Sequence, residues 1–465
     1  MSTIWQPTLK LGKGPKYRAV ARAIASGIES GALPIGEQLP PVRDLAWRLG
    51  ITPGTVARAY ALMTSEGHLE TTVGRGTFVA PPRTQPREND VWVKPSGAQN
   101  IESVNLLSPA LPDVGQVAAV RAALIEIAKD NSLDLLNYPT REAGLAARQA
   151  VVEWLREVPL GPLSEDDVVL TYGGQNAVSL VLKTILKGPK PVLLVEDLSY
   201  AGFSRAGAQL RAETVGVAMD DKGVIPEALA AAARATGAQV FCTTPDVQNP
   251  TGVRTPLERR RELVKVAEHF KMDILEDDCY RFSRPHAPSY RVLMPDNAWH
   301  ISSVSKSLTA ALRVGFAVAP RGRAVDLRRS LEFGYIGMSV PMVELTRRLL
   351  SDPASKQMAD IARDRIAGYV DLAVQHLGDL NLTWDREAPF LWLQLPEGWR
   401  ASDFVHEAEK QGVQIRSADE FALRDGRAPH AVRISINGNV TLEAFELAML
   451  RMRKLLDNPG SDFVI

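Results

Sequence analysis

The chain has 465 residues, 45% of them hydrophobic and 23% charged, which indicates a globular protein with two or more domains rather than one core. Residues 1–80 carry a formal net charge of +4 and the remainder −4, so the N-terminus either faces an anionic polymer or has an ordinary solvated basic surface. With two cysteines, no signal-peptide pattern and no run of about 18 apolar residues, the sequence excludes a disulfide framework and predicts a cytoplasmic protein without a membrane span.

The first 80 residues have the pattern of three helices followed by a β-hairpin. Apolar residues recur at helical spacing, and a tight turn at Gly50–Thr52 precedes Pro53, which suits the first turn of a helix. This order is that of a winged helix-turn-helix domain, which binds DNA. The predicted helices span residues 16–30, 42–49 and 53–66, and the predicted strands span residues 68–72 and 76–80.

Residues 81–100, PPRTQPRENDVWVKPSGAQN, are rich in proline and polar residues and predict a linker. Residues 101–465 alternate strand-like and helical segments, which predicts a largely parallel sheet flanked by helices. A long helical stretch begins near residue 341, and residues 388–456 have the pattern of a small α+β unit. The strand-like segments are residues 168–170, 192–195, 240–242, 274–275, 300–304 and 316–319, and the helical ones are residues 175–187, 226–234 and 256–270.

A lysine follows one of these strands in the segment SVSKSLTAALRVGF, residues 303–316. A buried lysine amine can be kept unprotonated and can then attack an aldehyde. Ser303 and Arg313 are suited to hold a phosphate beside Lys306. Taken alone, such a string more often belongs to a surface loop.

Two further strand ends carry polar side chains. Asp277 and Tyr280 lie in ILEDDCYRF, where a carboxylate can keep a pyridine nitrogen protonated; a solvated strand end or a metal site is the alternative. No cluster at ligand spacing supports a metal. Asn249 lies in PDVQNPTG, where its amide can donate to a ring oxygen, although Asn-Pro-Thr-Gly is also an ordinary turn.

A glycine turn and a tyrosine complete the set. Gly174 and Gln175, in TYGGQNAVSLVL, open a predicted helix whose free N–H groups form an anion site. Tyr200, in EDLSYAGF, follows a strand and can stack on a cofactor ring or belong to the core. Each motif alone is modest, but the joint order of these residues at strand ends is much less frequent by chance.

With these motifs, residues 101–456 resemble fold-type-I pyridoxal-phosphate aminotransferases, which combine a large, mostly parallel α/β domain with a small α+β domain. Residues 16–79 resemble the GntR type of winged helix through LPPVRDLAWRLGIT, GTVARAYALMTSEGHLE and GRGTFV. The fusion of the two, in this order, is similar to the MocR subfamily of bacterial transcription regulators.

The resemblance implies pyridoxal 5′-phosphate as cofactor and a role for each matching residue. Lys306 matches the Schiff-base lysine, Asp277 the partner of the ring nitrogen, and Asn249 and Tyr280 the partners of the ring oxygen. Tyr200 matches the stacking aromatic, and Arg433, in AVRISIN, matches the arginine that binds a substrate carboxylate. A salt bridge is the more frequent role of such an arginine. The phosphate site is matched by Gly174, Gln175, Ser303 and Arg313, and by Tyr138 from the neighbouring subunit, which implies a homodimer.

The sequence departs from the subfamily in two places. Regulators of this type often read Asp-Asp-Tyr-Asp, whereas Cys279 gives Asp277-x-x-Tyr280 as in true aminotransferases, which leaves residual catalysis open. Pro53-Gly54 stand where the DNA-reading helix commonly has Ser-Arg, which removes an expected arginine. The candidate DNA contacts that remain, mostly to phosphate, are Arg43, Thr52, Thr55, Arg58 and Arg75.

These observations favour a transcription regulator that binds double-stranded DNA as a dimer, carries pyridoxal phosphate, and responds to a small amine or amino-acid effector. A regulator that senses free pyridoxal phosphate differs only in its effector. The rival hypothesis is an active aminotransferase with a DNA-binding appendage.

Overall fold

The computed structural model describes Trp5 and residues 16–34, 36–65, 68–72, 76–79, 103–281, 285–423 and 426–457. The chain divides into two compact units, Met1–Gln99 and Asn100–Ile465, each of which is described here by itself. The linker predicted for residues 81–100 lies outside the described residues.

The N-terminal unit is the predicted winged helix. Its helices pack around buried Val20, Ile24, Leu45 and Val56. The second helix ends because Gly50 adopts a left-handed φ of 62° and its N–H donates back to the carbonyl groups of the last turn. The elements are α1 (Lys16–Glu29), α2 (Val42–Leu49), α3 (Pro53–Ser65) and an antiparallel hairpin of β1 (Leu69–Thr72) and β2 (Gly76–Val79).

A seven-stranded sheet organises the C-terminal unit, as the alternating strand and helix pattern predicts. Its order is β4-β12-β11-β10-β9-β5-β6, and all neighbouring pairs are parallel except those made by β12, which is antiparallel to both β4 and β11. The strands are β4 (Val168–Thr171), β5 (Val192–Glu196), β6 (Glu213–Val217), β9 (Val240–Thr243), β10 (Asp273–Asp277), β11 (Ala298–Ser303) and β12 (Gly315–Val318).

Helices cover both faces of this sheet because its strands are apolar on both faces. Leu193 and Leu275 point into one core, and the adjacent Leu194 and Ile274 point into the other. The described helices of this unit before residue 340 are α4 (Gln116–Lys129), α5 (Leu145–Trp154), α6 (Gly174–Ile185), α7 (Ala201–Gln209), α8 (Pro226–Thr236), α9 (Leu257–Phe270), α10 (Tyr290–Leu293) and α11 (Ala324–Tyr335). A short hairpin of β7 (Met219–Asp220) and β8 (Gly223–Val224) lies between α7 and α8 in the sequence.

The long helical stretch predicted from residue 341 is two helices. Pro353 disfavours a helical conformation at Asp352, which is extended with ψ 118° and caps the next helix by accepting from the Ala354 N–H at 2.9 Å. The two helices are α12 (Val340–Ser351) and α13 (Pro353–Leu377).

The small α+β unit also begins earlier than predicted. Its core includes Ile366 from α13 and Leu106, which follows a strand just after the linker, together with Leu391 and Phe445. These positions were missed because they are distant in sequence from residues 388–456. Its elements are β3 (Val104–Asn105), β13 (Leu382–Thr383), β14 (Phe390–Gln394), α14 (Ala401–Lys410), β15 (Val413–Gln414), β16 (Arg416–Ser417), β17 (Ala431–Ser435) and α15 (Leu442–Asp457).

None of the helices described combines the length and apolar character needed to cross a membrane.

Candidate functional site

The predicted site residues of the C-terminal unit come from strands whose carboxyl ends lie at one edge of the large sheet. Asp277 ends β10 and Ser303 ends β11, while Asn249 and Tyr200 follow β9 and β5. Because neighbouring parallel strands end at the same edge, segments distant in sequence converge there.

Lys306 lies in a short 3-10 turn directly after β11. Its Nζ donates to the Pro109 carbonyl at 2.8 Å and lies 5.6 Å from the centroid of the Tyr280 ring. Burial lowers the pKa of Lys306 to about 8, and the positive charges of Arg433 and Arg313 act in the same direction. The amine is therefore much easier to deprotonate than that of an ordinary lysine.

Asp277 is buried at the end of β10, the strand that pairs with β11, and burial raises its pKa to about 6. The negative charge of Asp278 adds to that rise, whereas hydrogen bonds from the Cys279 side chain and backbone oppose it. The Cys279 N–H donates to Asp277 Oδ1 at 2.9 Å. At neutral pH the group is a carboxylate, which suits it to pair with a protonated ring nitrogen.

A narrow cradle forms where β4 turns into α6. Gly173 has a φ of 84°, and a Cβ built on it would lie 2.7 Å from Arg313 Nη2. A Cβ on Gly174 would lie 2.7 Å from the Cys279 sulfur. The two glycines thus allow the N-terminus of α6 to approach the arginine closely. Helix N–H groups, Arg313 and the buried Ser303 are the types of donor that suit an anion.

Tyr200 and Gln175 are joined at the same edge. The Tyr200 hydroxyl donates to Gln175 Oε1 at 2.8 Å, and Gln175 Nε2 donates to the Gly202 carbonyl at 2.9 Å. Burial raises the pKa of Tyr200, so the hydroxyl remains protonated at neutral pH. The orientation of the tyrosine is therefore set by a residue of the cradle.

Arg433, on β17, is buried and donates from Nη1 to Asn249 Oδ1 at 2.6 Å and from Nη2 to the Leu107 carbonyl at 2.8 Å. Its guanidinium lies over the rings of Phe390 and Phe421, at 5.3 and 4.7 Å from their centroids. Burial lowers its pKa to about 10, so it is charged at neutral pH. In the described residues its buried Nε has no hydrogen-bond partner.

Several residues of the site were missed by the sequence analysis. The carbonyl groups of Leu107 and Pro109 contact the site cations, but a backbone acceptor carries no side-chain signal. Phe390 and Phe421 pack against Arg433, and neither phenylalanine lies in a motif that indicates such a contact. Cys279 was treated only as a departure from a motif, whereas it contacts Asp277.

Tyr138 is not part of this cluster within one chain. It is 77% exposed, in a segment that also exposes Leu135 and Leu136.

The DNA-binding candidates occupy an exposed part of the winged helix. Arg43, Thr52 and Arg58 are exposed, and the hydroxyls of Thr52 and Thr55 are 2.9 Å apart at the start of α3. The Arg58 guanidinium carbon lies 4.4 Å from the centroid of the Tyr17 ring, a cation–π contact. Arg75 lies outside the described residues.

Among the residues with described positions, no group of three or more His, Cys, Asp and Glu side chains is arranged to bind a metal ion.

Comparison with known proteins gives two family matches. Residues 104–450 match the model "Aminotransferase class I and II", and residues 16–79 match "Bacterial regulatory proteins, gntR family". The chain is 25% identical over 456 residues to the uncharacterized HTH-type transcriptional regulator YdeF of Bacillus subtilis, covering 98% of this chain and 97% of that protein.

A second relative is the HTH-type pyridoxine biosynthesis transcriptional regulator PdxR of Corynebacterium glutamicum, 28% identical over 66% of this chain and 65% of that protein. The crystal structure of an archaeal alanine:glyoxylate aminotransferase superposes with a TM-score of 0.69 at 20% identity, covering 78% of this chain and 92% of that one. This likeness shows the aminotransferase fold and confirms the predicted fold class.

Proposed function

This chain belongs to the aminotransferase class I and II family, and we propose that it is a transcription regulator that binds DNA and uses pyridoxal phosphate. One observation carries the proposal: a gntR-family winged helix and a cofactor-type site occur in the same chain, and a catalyst has no need of a recognition helix. The names of YdeF and PdxR, two relatives that are transcriptional regulators, support the same conclusion.

The residues at the sheet edge fit pyridoxal phosphate. The cradle at Gly173 and Gly174 would be filled by any side chain there, and it combines helix N–H groups with Arg313, as a phosphate requires. Asp277 is a buried carboxylate suited to a pyridine nitrogen, and Lys306 is an amine of lowered pKa suited to an aldehyde. When bound, the cofactor supplies an electron sink for chemistry at the α-carbon of an amine.

Each side chain has a distinct task toward this group. Above a pH of about 8 Lys306 is mostly the free amine and can attack the aldehyde. Asp277 would hold a proton on the ring nitrogen, and Asn249 and Tyr280 would bind the ring oxygen. Tyr200 is held by Gln175 at the cradle, where it can lie against the ring. Ser303, with Gly174 and Gln175, completes the phosphate site.

The effector is a small amine or an amino acid, and Arg433 would bind the carboxylate of an amino-acid effector. The buried Nε without a hydrogen-bond partner, in the described part of the chain, is a donor available to such an anion. A guanidinium binds a carboxylate through two parallel hydrogen bonds, which discriminates amino acids from simple amines.

The active form is a homodimer in which Tyr138 reaches the phosphate site of the neighbouring subunit. The exposure of Tyr138, Leu135 and Leu136 supports this assignment, because such apolar surface is usually covered by a partner. Dimerisation also places two winged helices on one molecule, as paired half-sites in DNA require.

Duplex DNA is contacted through Arg43, Thr52, Thr55, Arg58 and the wing residue Arg75. Their exposure, where described, and the net charge of +4 over residues 1–80 support contacts to phosphate. We place the protein in the cytoplasm, because its proposed partner is DNA and its two cysteines require no oxidising compartment.

The test is to sequence the genomic fragments that the purified protein retains, with and without pyridoxal phosphate. The regulator predicts a small set of enriched fragments whose enrichment changes with the cofactor. Retention of no preferred fragment in either condition refutes the proposal.

An active aminotransferase is the second candidate. It is favoured by the joint presence of Lys306, Asp277 and Tyr280 with the Arg433–Asn249 pair, which is a complete set for amino-group transfer. Steady turnover of an amino acid with an oxoacid distinguishes it from a regulator. A sensor of pyridoxal phosphate itself, suggested by the name of PdxR, predicts a DNA response to the cofactor without any amine.

A further inference from the structure

The segment Leu107–Pro109, which we call the strap, accepts hydrogen bonds from the cationic side chains of Lys306, Arg433 and Arg416. Lys306 Nζ donates to the Pro109 carbonyl at 2.8 Å. Arg433 Nη2 and Arg416 Nε both donate to the Leu107 carbonyl, each at 2.8 Å. Hydrogen bonds from cationic donors are stronger than neutral ones, so these carbonyl groups are firm attachment points.

The backbone on each side of the strap is fixed to the small α+β unit. The Leu106 N–H donates to the Gln414 carbonyl at 2.8 Å, and the Leu106 carbonyl accepts from the Ser435 N–H at 3.0 Å. On the other side, the Ala110 N–H donates to the Ile436 carbonyl at 3.1 Å. The strap therefore spans two fixed points, and Lys306, which lies just after β11, ties its last residue, Pro109, to the large sheet.

We propose that the Pro109 carbonyl and the cofactor compete for the nitrogen of Lys306, so that binding of the cofactor releases the strap from the large sheet. The inference rests on the proposed function, because it requires the cofactor aldehyde to react at Lys306. It adds a mechanism by which cofactor binding at Lys306 changes the conformation of the strap backbone.

The covalent step explains the competition. The nitrogen of Lys306 forms a double bond to the aldehyde carbon, and the aldehyde oxygen leaves as water with the two protons of the neutral amine. The nitrogen then carries at most one proton, where the ammonium had three to donate. The Pro109 carbonyl is left with one proton at most where the ammonium offered three, whereas the strap keeps the arginine contacts at the Leu107 carbonyl and the hydrogen bond from the Leu107 N–H to Asn105 Oδ1 at 3.1 Å.

The strap lies near the predicted linker in the sequence, so its release would change the backbone close to the DNA-binding unit. It follows the predicted linker, residues 81–100, by a few residues, and β3 lies between them. Lys306 contacts the Pro109 carbonyl and the Tyr280 ring, and Pro109 is the nearer of these two residues in sequence to the DNA-binding unit. Occupancy of the site thus alters the part of the C-terminal unit that leads to the linker.

Hydrogen–deuterium exchange of the full chain tests the inference, with the peptide covering residues 104–111 as the readout. Addition of pyridoxal phosphate to the wild-type protein is expected to speed its exchange by roughly three- to tenfold, the factor that one hydrogen bond is worth. The central strand β5 is the internal control and should not change. The visible absorbance band of the bound cofactor reports separately that the site is loaded.

Two variants isolate the lysine. Lys306→Met has no donor, so its strap should exchange fast without cofactor and not respond to it. Lys306→Arg keeps a cationic donor but forms no bond to the aldehyde, so its strap should exchange slowly in both conditions. Comparison of the two variants shows whether strap exchange depends on the lysine hydrogen-bond donor or on the presence of the cofactor.

A wild-type protein that gains the visible band while strap exchange stays unchanged overturns the inference and leaves the proposed function standing. If the wild-type protein gains no band, the cofactor assignment fails and the inference fails with it. If the strap of Lys306→Arg exchanges fast when cofactor is added, the inference is also overturned. This measurement tests the inference even if Lys306→Met does not fold.

Discussion

Arg433 donates from Nη1 to Asn249 Oδ1 at 2.6 Å, although the two residues are 184 positions apart. Arg433 belongs to β17 of the small unit, whereas Asn249 follows β9 of the large sheet. The contact therefore joins the candidate for carboxylate binding, Arg433, to a candidate for cofactor binding, Asn249. Because the Asn249 amide oxygen accepts this hydrogen bond, the NH₂ group of Asn249 remains as a donor for a ligand.

Arg433→Ala is expected to weaken the response to an amino-acid effector more than it weakens binding of the cofactor. Losing a charged hydrogen-bonded pair costs roughly 1.5–3 kcal/mol, or about tenfold to a hundredfold in affinity. Titration of the change in the cofactor absorbance with amino acids measures the effect. The matched ligand is the corresponding amine without a carboxylate, whose binding should change little. If such amines bind the wild-type protein as tightly as amino acids do, Arg433 has another role.

The rate of cofactor uptake should rise with pH through a midpoint near pH 8 and level off above it. Lys306 reacts as the free amine, and its pKa of about 8 leaves roughly a tenth of it unprotonated at pH 7. The positive charge of Arg433 contributes to this low pKa, so Arg433→Gln should move the midpoint to higher pH while Arg433→Lys should not. Stopped-flow absorbance across pH 6–10 gives the midpoints. Identical midpoints in the wild-type protein and Arg433→Gln would contradict the assigned electrostatics.

Lys306→Ala is expected to abolish the visible band of the bound cofactor without unfolding the protein. The lysine side chain is the amine placed at the sheet edge, and its removal leaves the buried strands untouched. Absorbance after gel filtration tests the first statement, and far-UV circular dichroism tests the second. A yellow Lys306→Ala protein that borohydride reduces to a stable adduct would show that another amine reacts.

A stability prediction concerns the buried pair of Arg260 and Asp246. Arg260 is fully buried and donates from Nη2 to Asp246 Oδ1 at 2.8 Å. Asp246→Ala leaves a buried charge without this partner, which should lower the free energy of unfolding by roughly 3–5 kcal/mol. The exposed pair of Arg321 and Asp296, also 2.8 Å apart, is the control, and Asp296→Ala should cost about 0–1 kcal/mol. Urea unfolding of both variants decides, and equal losses would contradict the argument.

Local pattern was sufficient to predict the winged helix and the large sheet. Helical spacing and the Gly50 turn fix α1 to α3, and apolar strand segments bounded by turns predict the mostly parallel sheet. The division of the stretch after residue 341 was also readable in principle, because Pro353 marks it. One continuous helical stretch was predicted because only Asp352 separates the two helices.

Only those parts of the site that are formed by chemically distinctive side chains could be predicted from the sequence. Lys306, Asp277, Asn249 and the glycine turn were selected because each type has a characteristic chemistry, and the structure brings them to one sheet edge. The strap was not predictable, because its contribution is two carbonyl groups that any residue could provide. The stacking of Arg58 on Tyr17 was equally hidden, since it depends on how α1 and α3 pack.

Binding to DNA should weaken steeply as salt rises, because arginine contacts to phosphate release condensed counterions. If Arg58 and Arg75 each contact one phosphate, Arg58→Ala and Arg75→Ala should lower affinity and reduce the slope of log affinity against log salt by about one unit. Arg58 also stacks on Tyr17, so Tyr17→Phe, which keeps the ring, serves as a control with an unchanged slope.

Neither arginine change should alter the cofactor absorbance, because both residues belong to the N-terminal unit. Arg321→Ala, an exposed arginine of the C-terminal unit, should leave the salt slope unchanged. Titration of one retained genomic fragment at several salt concentrations measures all of these proteins. Suppose instead that the full-length protein prefers no genomic fragment, while it turns over an amino acid and an oxoacid at an ordinary enzyme rate of about 1 s⁻¹ or more. The winged helix would then be an appendage, and the aminotransferase would be the correct assignment.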